Sequence, residues 1–369
     1  SAQLHFDPLG YHKPSGREGK ASLKAKLKND NVQVIEGLNV SAPDLSIKNA
    51  RLDFSRDGHL KKGVFNQNRI GATTARLDMT YDTPQRMTLK IKGETLDARP
   101  MLARQKQQEE RGPQIRAYVD AKQILTHESQ KIAPGKVYVT VLENGDISQF
   151  EVDGKIGDGQ VYVRYKPGPD GSPNLRAEFG DAGAALRALG FYENVQGGTM
   201  IVTGTSSDPT WKGNVSGGFL MQNFSVRKAP VLAKLINAMS LPGLGQLLGN
   251  DGVVFSKLTA DFKWNARPQG ALITVRDGRT SGSELGLTFE GSIDRSNSTI
   301  NMEGTIVPVS TLNKLIGGIP LLGPIITGGT GSLIAATYKI KGPYDTAEVR
   351  INPLSALAPG IVRRILFED

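Results

Sequence analysis

Strict alternation of apolar and polar residues is the feature that most constrains the fold of this chain. Residues 257–264 read Lys-Leu-Thr-Ala-Asp-Phe-Lys-Trp, so that every second residue is apolar. The segments 23–28, 87–92, 137–141 and 161–165 show the same alternation. Because successive side chains of a strand point to opposite faces, each segment predicts a β-strand with one apolar face and one solvated face.

Short turn sequences separate these strands at close intervals. Asn144-Gly145 and Asp170-Gly171 are typical of antiparallel hairpins, and no long strand–helix–strand pattern appears. We therefore expect well over a third of the residues in strands, above the roughly 20–25% of an average globular protein. The few predicted helices run from Asp97 to about Arg111, from the cap Asp181 to Leu189, over two Lys-Leu-Ile segments, and after Pro359.

The two Lys-Leu-Ile segments form an internal repeat, because Lys234 and Lys314 lie 80 residues apart. Each predicts a helix with one apolar face, followed by an apolar loop that proline and glycine interrupt. The second copy lies in the run Gly304–Gly331, whose prolines exclude a membrane-spanning helix. Such a helix usually covers a core, but the apolar loops predict a groove end, a membrane contact or a partner contact. The residues with this prediction are Leu232, Leu235, Ile236, Met239, Leu241, Leu244, Leu247, Leu248, Leu312, Leu315, Ile316, Ile319, Leu321, Leu322, Ile325 and Ile326.

So many one-faced strands pose a packing question, since each apolar face must be buried against something. Four or five short helices are too few to cover a sheet of about fifteen to twenty strands. Two sheets that face each other as a sandwich are one solution. The other is a single curved sheet that forms a trough for a guest, and an aliphatic trough suits acyl chains. The alternation pattern alone leaves both open.

Motifs for catalysis and metal binding are missing from the sequence. It contains no cysteine, which excludes disulfides and thiolate metal sites. The four histidines are scattered, and in His127-Glu128 the two side chains would point to opposite faces of a strand. There is no G-x-S-x-G elbow, and the glycine-rich run 328–331 is not followed by Lys-Ser or Lys-Thr. We therefore predict no enzymatic activity, no catalytic residue, no metal and no cofactor.

The charge balance gives weaker information about partners. The 369 residues carry a formal net charge of +9, with a basic segment over residues 13–28, so anionic lipid headgroups are compatible partners. Only 6% of the residues are aromatic and no nucleic-acid-binding motif is present, so we expect no nucleic-acid partner. Residue 1 is Ser and no signal-peptide pattern follows, so we expect any anchor or export signal to lie outside this sequence.

Longer segments of the second half carry a resemblance to a known family. They are, in order, GDAGAALRALGFYENVQGG, KAPVLAKLINAMSLPGLGQLL, GVVFSKLTADF, SELGLTFEGSID, GTIVPVSTLNKLIGGIPLLGPIITGG and VRINPLSALAPGIVRRIL. From about Gly180 to its end, the chain closely resembles the C-terminal region of AsmA-like proteins of the YhdP type, from Gram-negative bacteria. Upstream, RLDFSRDGHLKKGVFNQNRIG and KGETLDARPML resemble the preceding region of that family more loosely.

The resemblance implies a bridge-like lipid transfer protein in the periplasm, anchored in the inner membrane by a segment outside this sequence. Its ligand would be phospholipid, and its partners the outer-membrane surface and an envelope protein. The implied fold class is mainly β: an elongated, twisted antiparallel sheet curled into an open hydrophobic groove of repeated modules, with a few short helices. The residues predicted to line the groove are Leu89, Ile91, Val137, Val139, Val141, Val161, Val163, Leu258, Phe262, Trp264, Leu287 and Phe289.

We divide the chain into three predicted modules, at 1–112, 113–190 and 191–369, the last with the two apolar helix-loops. The predicted function is a non-enzymatic lipid conduit between the inner and outer membranes, which supports outer-membrane integrity. The alternative is a periplasmic assembly or scaffold protein for outer-membrane protein clients, as proposed for the related TamB-type proteins. Such a protein would offer its sheet edge or its groove to a client strand.

Overall fold

Strands dominate the structure, a computed structural model, and account for 72% of the residues that it describes. The described residues are 4–6, 11–13, 15–29, 31–103, 112–127, 130–211, 214–238, 252–267, 270–308, 336–344 and 346–353. The predicted fold class, mainly β with curled antiparallel sheet and a few short helices, is confirmed. The chain forms two compact units. Unit 1 comprises Ser1–Pro173, Ala188–Gly190 and Pro209–Lys212, and unit 2 comprises Asn174–Arg187, Phe191–Asp208 and Gly213–Asp369. The three predicted modules stay a prediction.

Unit 1 is built from hairpins whose neighbouring strands follow each other along the chain. Its strands are β1 (Leu4–Phe6), β2 (Tyr11–Lys13), β3 (Lys20–Lys28), β4 (Asn31–Ala42), β5 (Leu45–Phe54), β6 (Leu60–Ile70), β7 (Thr73–Thr83), β8 (Arg86–Asp97), β9 (Gln114–His127), β10 (Gln130–Ile132), β11 (Gly135–Val141), β12 (Ile147–Ile156) and β13 (Gly159–Pro167). β1 pairs with β2, and β3 to β8 pair in sequence. β9 pairs with β8 in parallel, and with both β10 and β11 in the antiparallel direction. β11, β12 and β13 then continue the antiparallel series.

Unit 2 repeats the antiparallel plan without exception among its described strands. They are β14 (Pro173–Phe179), β15 (Val195–Ser206), β16 (Val215–Val226), β17 (Val253–Arg267), β18 (Gly270–Gly282), β19 (Leu285–Asp294), β20 (Thr299–Pro308), β21 (Ala336–Pro343) and β22 (Glu348–Pro353). From β14 to β22, each strand pairs with the next one along the chain.

The described residues include three helices: α1 (Arg99–Ala103), α2 (Ala182–Ala188) and α3 (Pro230–Ala238). α1 forms the start of the helix predicted from Asp97, whose residues 104–111 lie outside the described part. α2 and α3 confirm two of the other predictions. The second Lys-Leu-Ile segment and the tail after Pro359 also lie outside the described residues.

Helix α2 lies within the predicted range and begins after the predicted cap. The Asp181 carboxylate accepts a hydrogen bond from the backbone N–H of Ala184 at 2.9 Å, which satisfies one of the free donors of the first turn. Gly190 has φ +63°, the left-handed conformation that commonly ends a helix. Between these ends, Gly183 allows a close approach to β15, because a Cβ there would lie 2.5 Å from the carbonyl oxygen of Val195.

Helix α3 follows β16 along the chain and reaches β22 on the far side of the same unit. The Lys234 ammonium donates a hydrogen bond to the carbonyl oxygen of Ala347 at 2.9 Å, just before β22 begins. Leu235 and Ile236 are buried, with 3% and 0% of their surface exposed. The apolar stripe of α3 therefore packs against the protein itself.

Candidate functional site

The apolar residues of unit 1 lie in rows that cross its sheet, because strand register places them on one face. Their alternation with polar residues gives a second, polar face on the opposite side. We call the face that carries the apolar rows the apolar face of unit 1. One row runs through Leu52, Gly63, Met79, Leu89, Ala117, Val139, Phe150 and Tyr165, and a second runs through Phe65, Leu77, Ile91, Val119, Val137, Val152 and Val163.

Unit 2 has an apolar face of the same kind. Its long rows cross eight strands each, which shows that the hairpins keep their apolar residues in register. One row consists of Phe179, Met200, Met221, Leu258, Thr280, Leu287, Ile306 and Ala336. The next consists of Gly204, Gly217, Phe262, Val275, Gly291, Met302, Ile340 and Val349.

All twelve residues predicted to line a groove lie on these apolar faces. Ten of them are partly exposed, whereas Val161 and Leu287 are buried. Each unit contains its own set. Val141, for example, lies opposite Ile115 and Ile147 in unit 1, and Phe289 lies opposite Gly278 in unit 2. The structure thus groups the predicted residues on one face of each unit, and their role in lipid binding stays a prediction.

Glycines on the apolar face show which way each sheet curls. A Cβ at Gly93 would overlap the carbonyl oxygen of Thr74 on the neighbouring strand, and one at Gly217 would overlap that of Thr203. The neighbouring backbone therefore leans over the apolar face at these positions, so this face lies inside the curl. Glycine is what permits such a close approach of two strands. The alternation pattern does not predict this role, although Gly93 and Gly217 occupy positions where an apolar side chain is expected.

The polar faces carry ion pairs between neighbouring strands and between residues two apart on one strand. In unit 1, Arg51 contacts both Glu36 and Asp53 at 2.8 Å, and Arg76 contacts Asp78 at 2.9 Å. These side chains are partly or largely exposed, and ion pairs in contact with solvent contribute little to stability. They keep this face polar, in contrast to the apolar rows on the other side of the sheet.

An aromatic cluster covers one end of the apolar face of unit 1. Trp211 comes from the segment Pro209–Lys212, and its ring lies edge-on to Phe150 and Tyr165 with centroid distances of 5.1 Å. The Tyr165 hydroxyl donates to the carbonyl oxygen of Thr210 at 3.0 Å, and the backbone N–H of Trp211 donates to the carbonyl oxygen of Ile147 at 2.9 Å. Nothing in the alternation pattern indicated this contact.

Tyr338 is a buried tyrosine on the apolar face of unit 2. Its O–H donates a hydrogen bond to the carbonyl oxygen of Thr288 at 2.8 Å, and burial raises its pKa well above the ordinary value of 10.0. The folded protein therefore holds this proton at pH values where the unfolded chain loses it. The resulting contribution to stability is complete below about pH 10 and is lost as the pH rises further.

Replacement of Tyr338 by phenylalanine tests this effect. We expect Tyr338→Phe to lower the free energy of unfolding by about 1 kcal/mol at neutral pH, because Thr288 loses its donor. We also expect a smaller decline in stability between pH 9 and 11 than in the parent protein, since one titrating group is gone. Urea unfolding at several pH values measures both. If the free energy of unfolding declined equally in the two proteins between pH 9 and 11, the raised pKa of Tyr338 would be contradicted.

The predicted helix-loop residues are described only in part. Leu232 is partly buried, and Leu235 and Ile236 are buried within the protein. The roles predicted for the helix-loops, as a groove end, a membrane contact or a partner contact, stay predictions. The remaining predictions lie outside the described residues: Met239, Leu241, Leu244, Leu247, Leu248, Leu312, Leu315, Ile316, Ile319, Leu321, Leu322, Ile325 and Ile326.

A cavity of about 390 Å³ opens on the polar face of unit 2, away from the apolar rows. Ile201 and Leu220 form its apolar part, and Thr259 and Arg279 belong to the same cross-strand row. Gly218 makes room for it, since a Cβ there would meet only the Thr203 hydroxyl, at 3.9 Å. This cavity is small compared with the apolar faces and lies on the other side of the sheet. We therefore do not assign it to the apolar site.

Two further observations concern metals and membranes. Within the part of the chain that the structure describes, no group of three histidine, aspartate or glutamate side chains converges as metal ligands would. Among the described helices, none combines the length and the apolar composition needed to cross a bilayer.

Comparisons of the chain with protein-family models, curated proteins and solved structures found no match. The resemblance to AsmA-like proteins therefore stays a prediction.

Proposed function

We propose that this protein is a non-enzymatic conduit for phospholipid, which binds acyl chains on the apolar inner face of each sheet. Transport across the periplasm between the inner and outer membranes is the setting that the resemblance to AsmA-like proteins implies. The ligand would be the transported phospholipid itself, so no cofactor is required. In the full-length protein, an inner-membrane anchor would lie outside this sequence.

The observation that carries the proposal is the partial exposure of large apolar side chains on the inner face. In a sandwich, Leu89, Val139, Leu258 and Phe262 would be buried against a second sheet, but all four retain exposed surface. Contiguous apolar surface that stays accessible usually marks a binding site. An aliphatic surface also makes no demand on ligand shape, which suits flexible hydrocarbon chains.

The polar faces support the same function from the other side. Acyl chains would be held by burial of apolar area at roughly 25 cal/mol per Å², whereas headgroups would stay in water. Because burial has no directional requirement, a chain can shift from one row to the next at little energetic cost. No chemical step is needed for that movement.

Lipid analysis of the purified protein tests the proposal. We expect phospholipid to remain bound through mild purification at about one molecule or more per chain, detected by native mass spectrometry and by extraction. Phospholipids with brominated acyl chains should then quench Trp211 and Trp264, the two tryptophans of the sequence, because each lies at an apolar face. Absence of bound phospholipid, or quenching of neither tryptophan, would contradict it. A bound client peptide in place of lipid would favour the scaffold alternative.

A further inference from the structure

One end of the apolar face of unit 2 differs from the rest, because apolar, aromatic and cationic side chains meet there. The last apolar row before the hairpin turns consists of Val215, Trp264, Ile273, Ile293 and Ile300. We call it the end row. Trp264, Ile293 and Ile300 are partly exposed, so the row is accessible.

Phe191 lies against this row although it belongs to no strand. Its backbone N–H donates to the carbonyl oxygen of Leu186 at 2.8 Å, so the end of α2 fixes its position. The Phe191 ring lies 6.1 Å from the Trp264 ring at an interplanar angle of 61°. Even so, 40% of the Phe191 surface is exposed. A large aromatic side chain is therefore held at the boundary between the apolar face and solvent.

Arg295 places a positive charge over the same ring. Its guanidinium carbon lies 4.2 Å from the centre of Phe191, within the range of a cation–π contact. A guanidinium that stacks on a ring still presents N–H groups at its edge, in the fork that matches a phosphate. Arg295 follows Asp294 at the turn after β19. Its backbone N–H donates to the carbonyl oxygen of Ala271 at 2.9 Å, so the backbone beneath the side chain is fixed.

Asp294, the residue before Arg295, is held by the turn itself and by a second arginine. The Asp294 carboxylate accepts from the Arg267 guanidinium at 2.8 Å and also from the N–H groups of Ser296 and Asn297. Tyr344 donates its hydroxyl to the carbonyl oxygen of Asp294 at 3.1 Å. The turn that carries Arg295 is thus held by hydrogen bonds, and Arg267 brings a second guanidinium to it.

We infer that Arg295, stacked on Phe191, binds the phosphate group of an amphipathic ligand whose hydrocarbon chain lies on the end row. The inference rests on the proposed function and adds the headgroup chemistry: a phosphate monoester or diester attached to an acyl or alkyl chain. Charge-assisted hydrogen bonds from arginine to phosphate are among the strong ones in proteins. Phe191 acts as a positioning residue, because it holds the guanidinium at the boundary.

Two amphiphiles with the same chain test the inference. The probes are dodecyl phosphate and an uncharged dodecyl glycol ether, both below their micelle concentrations. Trp264 emission reports binding in a Trp211→Phe background, where it is the sole tryptophan. We expect dodecyl phosphate to bind about tenfold or more tightly than the ether, which is the scale of one charge-assisted contact. Arg295→Gln should remove this preference and leave the affinity for the ether unchanged.

Control variants separate the site from general charge effects. Arg276→Gln makes the same charge change on the polar face of β18, where Arg276 lies opposite Asp261, and it should keep the preference. Arg295→Lys keeps the charge without the planar fork, so we expect it to retain a part of the preference. If Arg295→Gln folds poorly, the reduced preference of Arg295→Lys for dodecyl phosphate provides the test in its place.

The outcomes distinguish this inference from the proposed function. Equal binding of both amphiphiles to the parent, or an unchanged preference in Arg295→Gln, would overturn the inference and leave the conduit intact. Binding of neither amphiphile would overturn both. Displacement of dodecyl phosphate by equimolar inorganic phosphate would show an anion site that makes no use of the chain, and would also overturn the inference.

Discussion

Replacement of Gly217 by alanine is expected to destabilise unit 2 by about 3 kcal/mol, at the upper end of the range for overpacking. The added Cβ would overlap the carbonyl oxygen of Thr203, which is backbone and cannot rotate away. Only an outward shift of β15 relative to β16 relieves the overlap, and that shift opens the curl. Urea unfolding, followed by far-UV circular dichroism, measures the loss.

Gly218 provides a matched control in the next position of the same strand. Its side chain would point to the polar face, where the nearest atom is the Thr203 hydroxyl at 3.9 Å. Gly218→Ala should therefore be neutral or stabilise by about 0.5 kcal/mol, because alanine suits a strand better than glycine. Equal effects at the two positions would contradict the assignment of the inner face.

The second large effect concerns ligand binding. Phe262→Asp should reduce bound phospholipid about tenfold or more, because an unpaired carboxylate on the apolar face raises the cost of placing hydrocarbon there. Phe262 is partly exposed, so the aspartate can reach water and the fold should persist. Val139→Asp and Val163→Asp should act in the same way in unit 1. Phosphate analysis of the extracted lipid gives the ratio of lipid to protein.

Thr274→Asp is the control for Phe262→Asp. It introduces the same charge on the polar face, opposite Lys263 on the neighbouring strand, and should leave both lipid content and fold unchanged. If Phe262→Asp abolished the fold, its position would belong to a sealed core. If it changed neither the fold nor the lipid content, the apolar face of unit 2 would not be the binding surface.

The facing of the strands was predictable from the sequence, because a period of two is a local property. Residues 257–264 alternate without error, and the structure gives them the predicted faces along β17. The caps of α2 were equally local. The sequence Ala-Arg-Leu-Asp is a further local signal, because it recurs at 50–53 and 75–78. In both copies the arginine forms an ion pair with the aspartate two residues later, on the polar face.

The aromatic and cationic contacts had no such signal. Trp211 meets Phe150 across 61 positions, and Arg295 meets Phe191 across 104. Neither pair is predicted by alternation, because each joins a loop to a strand or to another loop, where side chains have no fixed period. The choice between a sandwich and a curled sheet was also open, since both use the same one-faced strands. The glycines at apolar positions, such as Gly93 and Gly217, were the residues that distinguished them.

The order of pairing within each unit has a consequence for how the chain acquires its structure. Almost every described strand pairs with the one made just before it, so few contacts wait for a distant segment to be synthesised. Low sequence separation between partners favours rapid folding, since little loop-closure entropy is lost at each step. The widest separation among these pairings belongs to β16 and β17, where Val215 lies opposite Trp264, 49 positions further along the chain. We therefore expect each unit to grow strand by strand behind the emerging chain, and the pairing of β16 with β17 to form more slowly than the short hairpins.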